Sequence, residues 1–494
     1  MPVASRWRLC GCRWIVAVVA LYGARAAALD VEVIPAWEGY YAPGEATELL
    51  VRVSSPVGGR LRLTAGDDAM TSVAQLNVQP DAVTVVALPV RPAAGSVTIT
   101  AALGIAAATE TLVNLLPLER PLRAVVIGLG TDLAAWLAED DVSLPVPVAA
   151  SALPQTAAGY APVSQLVMAA DVLTQASPEQ RHALAQYLGG CGRLLLAATT
   201  PAVDAALRAQ AGCSGRFVMT AASAATDATR ASAAARPLPG ARALQAMHAA
   251  APRLWWLAVA FFAAYAAIMF VLGGGNHRRA SVGMLLVPVL ATGLLAATWS
   301  RGEPEFRFSL WLDQDSDSNI ARFQALLDVY GQGTQAIEFV QPRELGLPVN
   351  LSPGPMEIEA VAGATNIRLQ SLVLSRHSLS FSGAVEHLPM FSIAKGPDGL
   401  SVTYTGPGES PAATLAWDGR YFPLPTLRTA QSWQLDDAAA TIPRERLPQA
   451  LVAQGDGLLV ALGSAASSAS LAMLVGRSAA VWLMLRPPGT EHAS

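Results

Sequence analysis

The chain has 494 residues, a length that leaves room for three or four domains. Apolar residues make up 52% of it, and the formal net charge is −4 with no basic stripe interleaved with aromatics, which argues against nucleic acid as a partner. Lys395 is the only lysine, so arginine carries nearly all of the positive charge.

At the N-terminus, Arg6, Arg8 and Arg13 precede the apolar stretch from Trp14 to Tyr22, and Ala26-Ala27-Ala28 offers a small-residue cleavage site. This order predicts a secretory signal peptide over residues 1–28, with an uncleaved anchor as the alternative. Residues 29–117 then read as short runs of partial alternation separated by Gly, Pro and Asp turns, which predicts an all-β sandwich. Within it, Pro43-Gly44-Glu45 stands just before the second strand, and the stretch from Glu38 to Ser55 resembles the opening of bacterial immunoglobulin-like modules.

The rhythm changes over residues 118–221. Buried-strand runs such as Leu122 to Ile127 alternate with helical stretches, a pattern that predicts a parallel sheet with helices on its faces. Ser177 is placed as an N-cap with Glu179 in the first turn, and Gly189-Gly190 as the helix end. The helix start Ser177-Pro178-Glu179-Gln180, Leu184 and Tyr187 on the helix, and Gly189-Gly190, Gly192 and Leu194-Leu195 leading into a strand are similar to class I glutamine amidotransferase-like domains of bacterial envelope proteins. That resemblance implies a flavodoxin-like α/β fold for this region. Residues 222–253 are rich in Ala, Ser and Pro and read as a linker.

Two uncharged apolar runs follow, 254–272 and 282–299, joined by the short segment 273–281. Each is about the length of a membrane-crossing helix, roughly 17 to 25 residues. Together they predict a transmembrane hairpin with the lipid bilayer as a partner. Arg278 and Arg279, with His277, mark its tip as cytoplasmic, although Arg253 and Arg301 dilute the bias. The chain would then sit in a bacterial inner membrane with both large regions external, and the spans, which hold no charged residue and few polar ones (Tyr265, Thr292), would act only as an anchor. Residues 300–494 return to strand-like patterns and predict a mainly-β domain. The segment from Ala413 to Leu435 resembles the β-sandwich that follows the hairpin in the same group of envelope proteins. The fold class expected overall is a multidomain, membrane-anchored chain with an immunoglobulin-like domain, an amidotransferase-like domain, a hairpin and a β domain.

Candidate chemistry is sparse. Cys10 and Cys12 would leave with the signal peptide, so Cys191 and Cys213 are the candidate disulfide in an oxidising compartment, two buried free thiols being the alternative. A nucleophilic Cys191 paired with His182 is disfavoured, because Cys191 lies before a strand rather than on the strand-to-helix turn such enzymes use. Gly128 and Gly130 match half of a dinucleotide fingerprint, but Leu133 stands where the third glycine should be and no phosphate-binding lysine follows, so a simple strand-to-helix turn is preferred. Asp313, Asp315 and Asp317 imitate a calcium loop, but Ser318 and Gln324 occupy the positions that need Gly and Glu, so an N-capped helix is preferred. The six histidines show no zinc-binding spacing. No catalytic, cofactor or metal residue is assigned. The resulting expectation is a non-enzymatic scaffold or accessory subunit that acts through membrane or periplasmic protein partners. The alternatives are a cysteine-dependent hydrolase and a ligand-sensing receptor coupled to another membrane protein.

Overall fold

The computed structural model describes residues 29–127, 143–196 and 305–487, apart from short stretches and the longer segments 444–455 and 463–478, together with Leu207, Gln210, Phe217–Met219, Leu238 and Leu244. The signal peptide, Gly128, Gly130, Cys213, the hairpin 254–299 and its Arg278 and Arg279 lie outside the described residues.

Nine strands come first: β1 (Asp30–Pro35), β2 (Tyr40–Tyr41), β3 (Thr47–Ser54), β4 (Gly59–Gly66), β5 (Met70–Val78), β6 (Thr84–Val90), β7 (Ser96–Leu103), β8 (Thr109–Asn114) and β9 (Leu116–Pro117). Then come β10 (Leu122–Ile127), β11 (Leu144–Ala149), β12 (Val163–Met168), helix α1 (Ala170–Gln175), helix α2 (Pro178–Gly189), β13 (Arg193–Leu196) and β14 (Phe217–Met219). The remaining fourteen are β15 (Glu305–Asp315), β16 (Ile320–Tyr330), β17 (Ile337–Pro342), β18 (Val349–Asn350), β19 (Met356–Val361), β20 (Ala364–Leu369), β21 (Arg376–Glu386), β22 (Phe391–Gly396), β23 (Gly399–Tyr404), β24 (Ala413–Trp417), β25 (Arg420–Pro423), β26 (Ser432–Gln434), β27 (Gly457–Ala461) and β28 (Ala479–Arg486).

Period-two alternation builds the N-terminal sandwich. Leu49, Val51 and Val53 of β3 face Leu61, Leu63 and Ala65 of β4, all fully buried, while Arg52, Arg60 and Arg62 point to solvent. One layer is the sheet β1-β3-β6. The other is not confined to residues 29–117, as the sequence suggested. It is a seven-stranded sheet, β17-β20-β19-β5-β4-β7-β8, in which β5 pairs in parallel with β19 (Met70 opposite Met356, Val73 opposite Glu359). Met70 accordingly packs in the C-terminal core with Met356, Ile358 and Ile367. Such a pairing of strands remote in sequence leaves no local signal, because its information lies in matching edges and not in spacing.

The C-terminal region centres on an eight-stranded sheet, β18-β21-β16-β15-β28-β27-β24-β25. One face, with Phe308, Leu310, Phe323, Phe381 and Leu483, forms the largest core. On the other face Trp311, Leu326, Leu459 and Met484 are covered by Leu238 and Leu244, from the segment expected to be a linker. Asp313 also lies on this second face, its carboxylate between Arg322 and Arg486, the latter through Nε at 2.8 Å. The stretch expected as an N-capped helix, from Ser316 to Gly331, is instead a hairpin turn and strand β16, with Asp313 opposite Arg322. Both faces of β16 are buried, so its apolar residues lack the alternation that identifies a half-exposed strand. The two arginines take up the Asp313 oxygens that a calcium loop would have needed.

The expected fold class is corrected in two respects. Strands β11-β10-β12-β13-β14 do run in parallel, but the described residues are dominated by strands, and α1 and α2 are the only α-helices with described bounds. The helical layers that would make a flavodoxin-like, amidotransferase-like α/β domain are therefore not found among the described residues. The connection from β11 to β12, for example, is made by short 3-10 turns. Nor is any described helix long and apolar enough to cross a membrane. The transmembrane helix hairpin and the inner-membrane location resting on it are not supported.

The joint between β5 and β19 should carry most of its stability through burial. Ile358 is 3% exposed beneath it, whereas the ion pair Arg62–Glu357 beside it is on the surface. Replacing Ile358 with Ala is expected to cost about 2–4 kcal/mol in a urea titration. Replacing Arg62 with Ala should cost less than about 1 kcal/mol. Equal effects would refute the joint as drawn.

Candidate functional site

The N-terminal sandwich, the parallel sheet and the eight-stranded sheet meet at one junction, where two side chains tie the sandwich to the parallel sheet. After β1 the backbone turns through three residues with positive φ, Trp37 (54°), Glu38 (55°) and Gly39 (88°). This turn delivers the Trp37 ring, 1% exposed, into the core of the parallel sheet. There Trp37 Nε1 donates to the Gly159 carbonyl at 2.5 Å, and its ring meets Tyr160 edge-on at 5.6 Å between centroids. A left-handed Trp is costly, at roughly 1–3 kcal/mol, and it persists here because the burial of a large ring outweighs that cost.

Glu48 is the second tie. It stands in apolar β3 and is only 2% exposed. Its carboxylate accepts the backbone N–H groups of Gln155 and Thr156, both at 2.8 Å, and the Thr156 hydroxyl at 2.5 Å. A buried carboxylate is tolerable only with such a donor set. The loop it grips is close-packed: a Cβ on Gly159 would lie 2.4 Å from Pro154 Cβ and 3.0 Å from Glu48 Cβ. Helix α2 is tied to the same loop. Its capping box pairs the Ser177 N–H with Gln180 Oε1 (2.9 Å) and the Gln180 N–H with Ser177 Oγ (3.2 Å), and Gln180 Nε2 donates to the Leu153 carbonyl at 2.8 Å.

Beside these ties lies a cleft of about 570 Å³. The sandwich contributes Glu45 and Arg91, the parallel sheet Ser143, Tyr160 and Ser164, and the eight-stranded sheet Arg322 and Ser382. It opens at the amino ends of β10, β11 and β12, opposite the carboxyl ends where open α/β sheets bind ligands. Clefts between structural units of this size commonly hold small molecules. The Tyr160 ring sits between Trp37 and Tyr187, the latter 5.3 Å away, and its hydroxyl has no hydrogen-bond partner. Burial, reinforced by Glu48 and Tyr187, pushes its pKa up, so it stays a protonated donor. Arg91 donates one terminal N–H to the Pro348 carbonyl at 2.9 Å, and its buried Nε has no acceptor. Burial pulls its pKa down and Glu45 opposes that shift.

Cys191 also lines the cleft, in a role different from a nucleophile's. Helix α2 ends in a Schellman motif, in which the Gly192 N–H reaches the Tyr187 carbonyl (2.8 Å) and the Cys191 N–H reaches that of Leu188 (3.0 Å). The left-handed position, expected for a glycine, is filled by Cys191 at φ 66°. Cys191 is disulfide-bonded, and a sulfur in that state offers no thiolate for attack. His182 lines a smaller neighbouring cavity of about 70 Å³, its Nε2 3.1 Å from Gln186 Nε2. No group of three or more His, Cys, Asp or Glu that could hold a metal occurs among the described residues.

Of the residues singled out in the sequence, Cys191 falls at this junction, whereas Asp313 serves the sheet behind it. Nothing in the local sequence singles out Trp37, Arg91 or Tyr160. The one signal available was Glu48, an acid at the head of an apolar strand. No family model matches the chain, and neither does any curated protein or solved structure.

We expect the partner of Cys191 to be Cys213. Peptide mapping without reduction should recover these two cysteines in one linked pair, and Cys191→Ser should lose about 2–4 kcal/mol of stability. Linkage of Cys191 to Cys10 or Cys12, or alkylation of both thiols in the native protein, would contradict it.

Proposed function

We propose that the chain is a non-enzymatic scaffold or accessory subunit that works by docking another protein. The observation that carries this reading is the state of the seven-stranded sheet's two ends. Among the described residues β8 pairs only with β7, and β17 only with β20. Each open end bears an exposed apolar side chain: Leu112 on β8, 64% exposed, and Val340 on β17, 69% exposed. An open strand edge with apolar residues is a pairing surface and an aggregation hazard unless something covers it. Disulfide-bonded Cys191 weighs against the cysteine-dependent hydrolase considered from sequence.

The test is the mass of the protein isolated from its native source, together with photo-crosslinking from Leu112 and Val340. A complex larger than one chain is expected, with adducts to one defined protein. Leu112→Lys or Val340→Lys should dissociate that complex while changing the stability of the chain itself by no more than about 0.5 kcal/mol. A single-chain mass without adducts from either position would overturn the proposal.

A further inference from the structure

Strand β8 ends its sheet with a row of backbone groups whose direction follows from its pairing. In an antiparallel ladder, facing residues alternate between pairs that exchange hydrogen bonds and pairs that exchange none. β7 and β8 are antiparallel, with Ser96 opposite Asn114, Thr98 opposite Leu112 and Thr100 opposite Glu110. The Leu115 N–H reaches the Gly95 carbonyl at 2.7 Å, one step beyond the Ser96–Asn114 pair, so that pair is a non-bonded one. The β4 side agrees. There the Gly104 N–H reaches the Arg60 carbonyl at 2.9 Å, which turns the N–H and C=O of Thr98 and Thr100 toward β4 and away from β8. Glu110, Leu112 and Asn114 therefore aim their backbone N–H and C=O groups out of the sheet edge. Their side chains are exposed, that of Leu112 by 64%. Strand edges are normally blunted by Pro, Lys or a bulge, and the run Thr109-Glu110-Thr111-Leu112-Val113-Asn114 has none of these.

We propose that this edge pairs with the same edge of a second copy of the chain, antiparallel and about a twofold axis through Leu112. The inference rests on the docking role proposed above and names the occupant of its β8 edge; the β17 edge stays available to a different protein. The outward groups of Leu112 suit a bonded pair, so Leu112 can exchange hydrogen bonds with its own symmetry mate. Glu110 and Asn114 then fall opposite each other as further bonded pairs, and each carboxylate meets a neutral amide that can donate to it. A twofold centred on Glu110 would instead set two carboxylates face to face, which destabilises a cross-strand pair. Centring on Leu112 also places the two exposed leucines side by side, so each covers the other. Such a contact closes on itself, because it consumes the β8 edge of both copies. Pairing of β8 with β17 of the next chain would leave an open end and grow into a filament. β17 is the poorer self-partner, since it ends on Pro342, which has no N–H to give.

The experiment follows the purified full-length protein, with nothing else added, by sedimentation equilibrium over a wide range of concentration. A reversible monomer–dimer equilibrium is expected. Leu112→Pro should weaken the dimer about tenfold or more, because it removes an N–H that serves only the second copy and leaves the bonds to β7 in place. The register is read by charge at position 114, where the side chain is exposed and either change spares the fold. Asn114→Lys should tighten the dimer about twofold to tenfold by setting an ammonium against Glu110 of the copy, and Asn114→Glu should loosen it by a similar factor. Should Leu112→Pro fail to fold, the opposed pair at position 114 decides alone. A protein monomeric at every concentration, a dimer indifferent to a folded Leu112→Pro, or any response at position 114 other than this opposition of sign would overturn the proposal. So would a photo-adduct from Leu112 to a different protein. A monomeric purified protein would not touch the scaffold reading, which is decided by the complex from the native source and by adducts from Val340.

Discussion

The parallel pairing of β5 with β19 is the constraint on which the rest of the structure depends. Through it a sheet begun by residues 59–114 is finished by residues 337–369, and Met70 becomes part of the C-terminal core. Without it each half would expose the flank of a strand whose side chains are apolar on the inner face. With it, neither half has a complete hydrophobic boundary of its own. Because loop-closure entropy must be met before such a distant contact returns any stability, a fold of this kind should assemble slowly.

That joint also fixes the site. Once the sandwich and the C-terminal region share a sheet, the parallel sheet has to fit the angle between them. Trp37 and Glu48 hold it there by two different means: one buries a large ring, and the other satisfies the backbone donors of a loop that would otherwise be left unpaired. The C-terminal end of α2 closes the remaining side, where a Cβ on Gly189 would lie 2.7 Å from Ala384 Cβ on β21. Three rigid bodies in contact seldom fill space completely, and the gap they leave is the cleft bearing Arg91 and Tyr160.

Local features of the chain were legible from sequence. Pro43-Gly44-Glu45 forms the expected turn, with the Glu45 N–H on the Ala42 carbonyl at 3.0 Å and Gly44 at φ +82°. Asp418 and Gly419, at φ 50° and 69°, make the tight connection between β24 and β25. Ser177 caps α2 through a reciprocal box with Gln180. Each rests on residues a few positions apart. What escaped depends on partners far along the chain. β16 read as a helix because burial on both faces erased its alternation. Asp313 imitates a calcium-loop position in the sequence because its arginines, one of them Arg486, are not neighbours in sequence. Of the site, Cys191 is legible as a candidate bridge, but Arg91 and Tyr160 look like ordinary surface and core residues until the three units meet.

β5 and β19 are adjacent interior strands of one sheet. Native-state amide hydrogen exchange tests it most directly, because interior strands open only with large or global unfolding whereas edge strands exchange by local fraying. Amides of Met70–Val73 and Met356–Glu359 should be protected to the same high free energy, and Ile358→Ala should lower both segments together. Fast, edge-like exchange in either segment, or a response of one without the other, would contradict it.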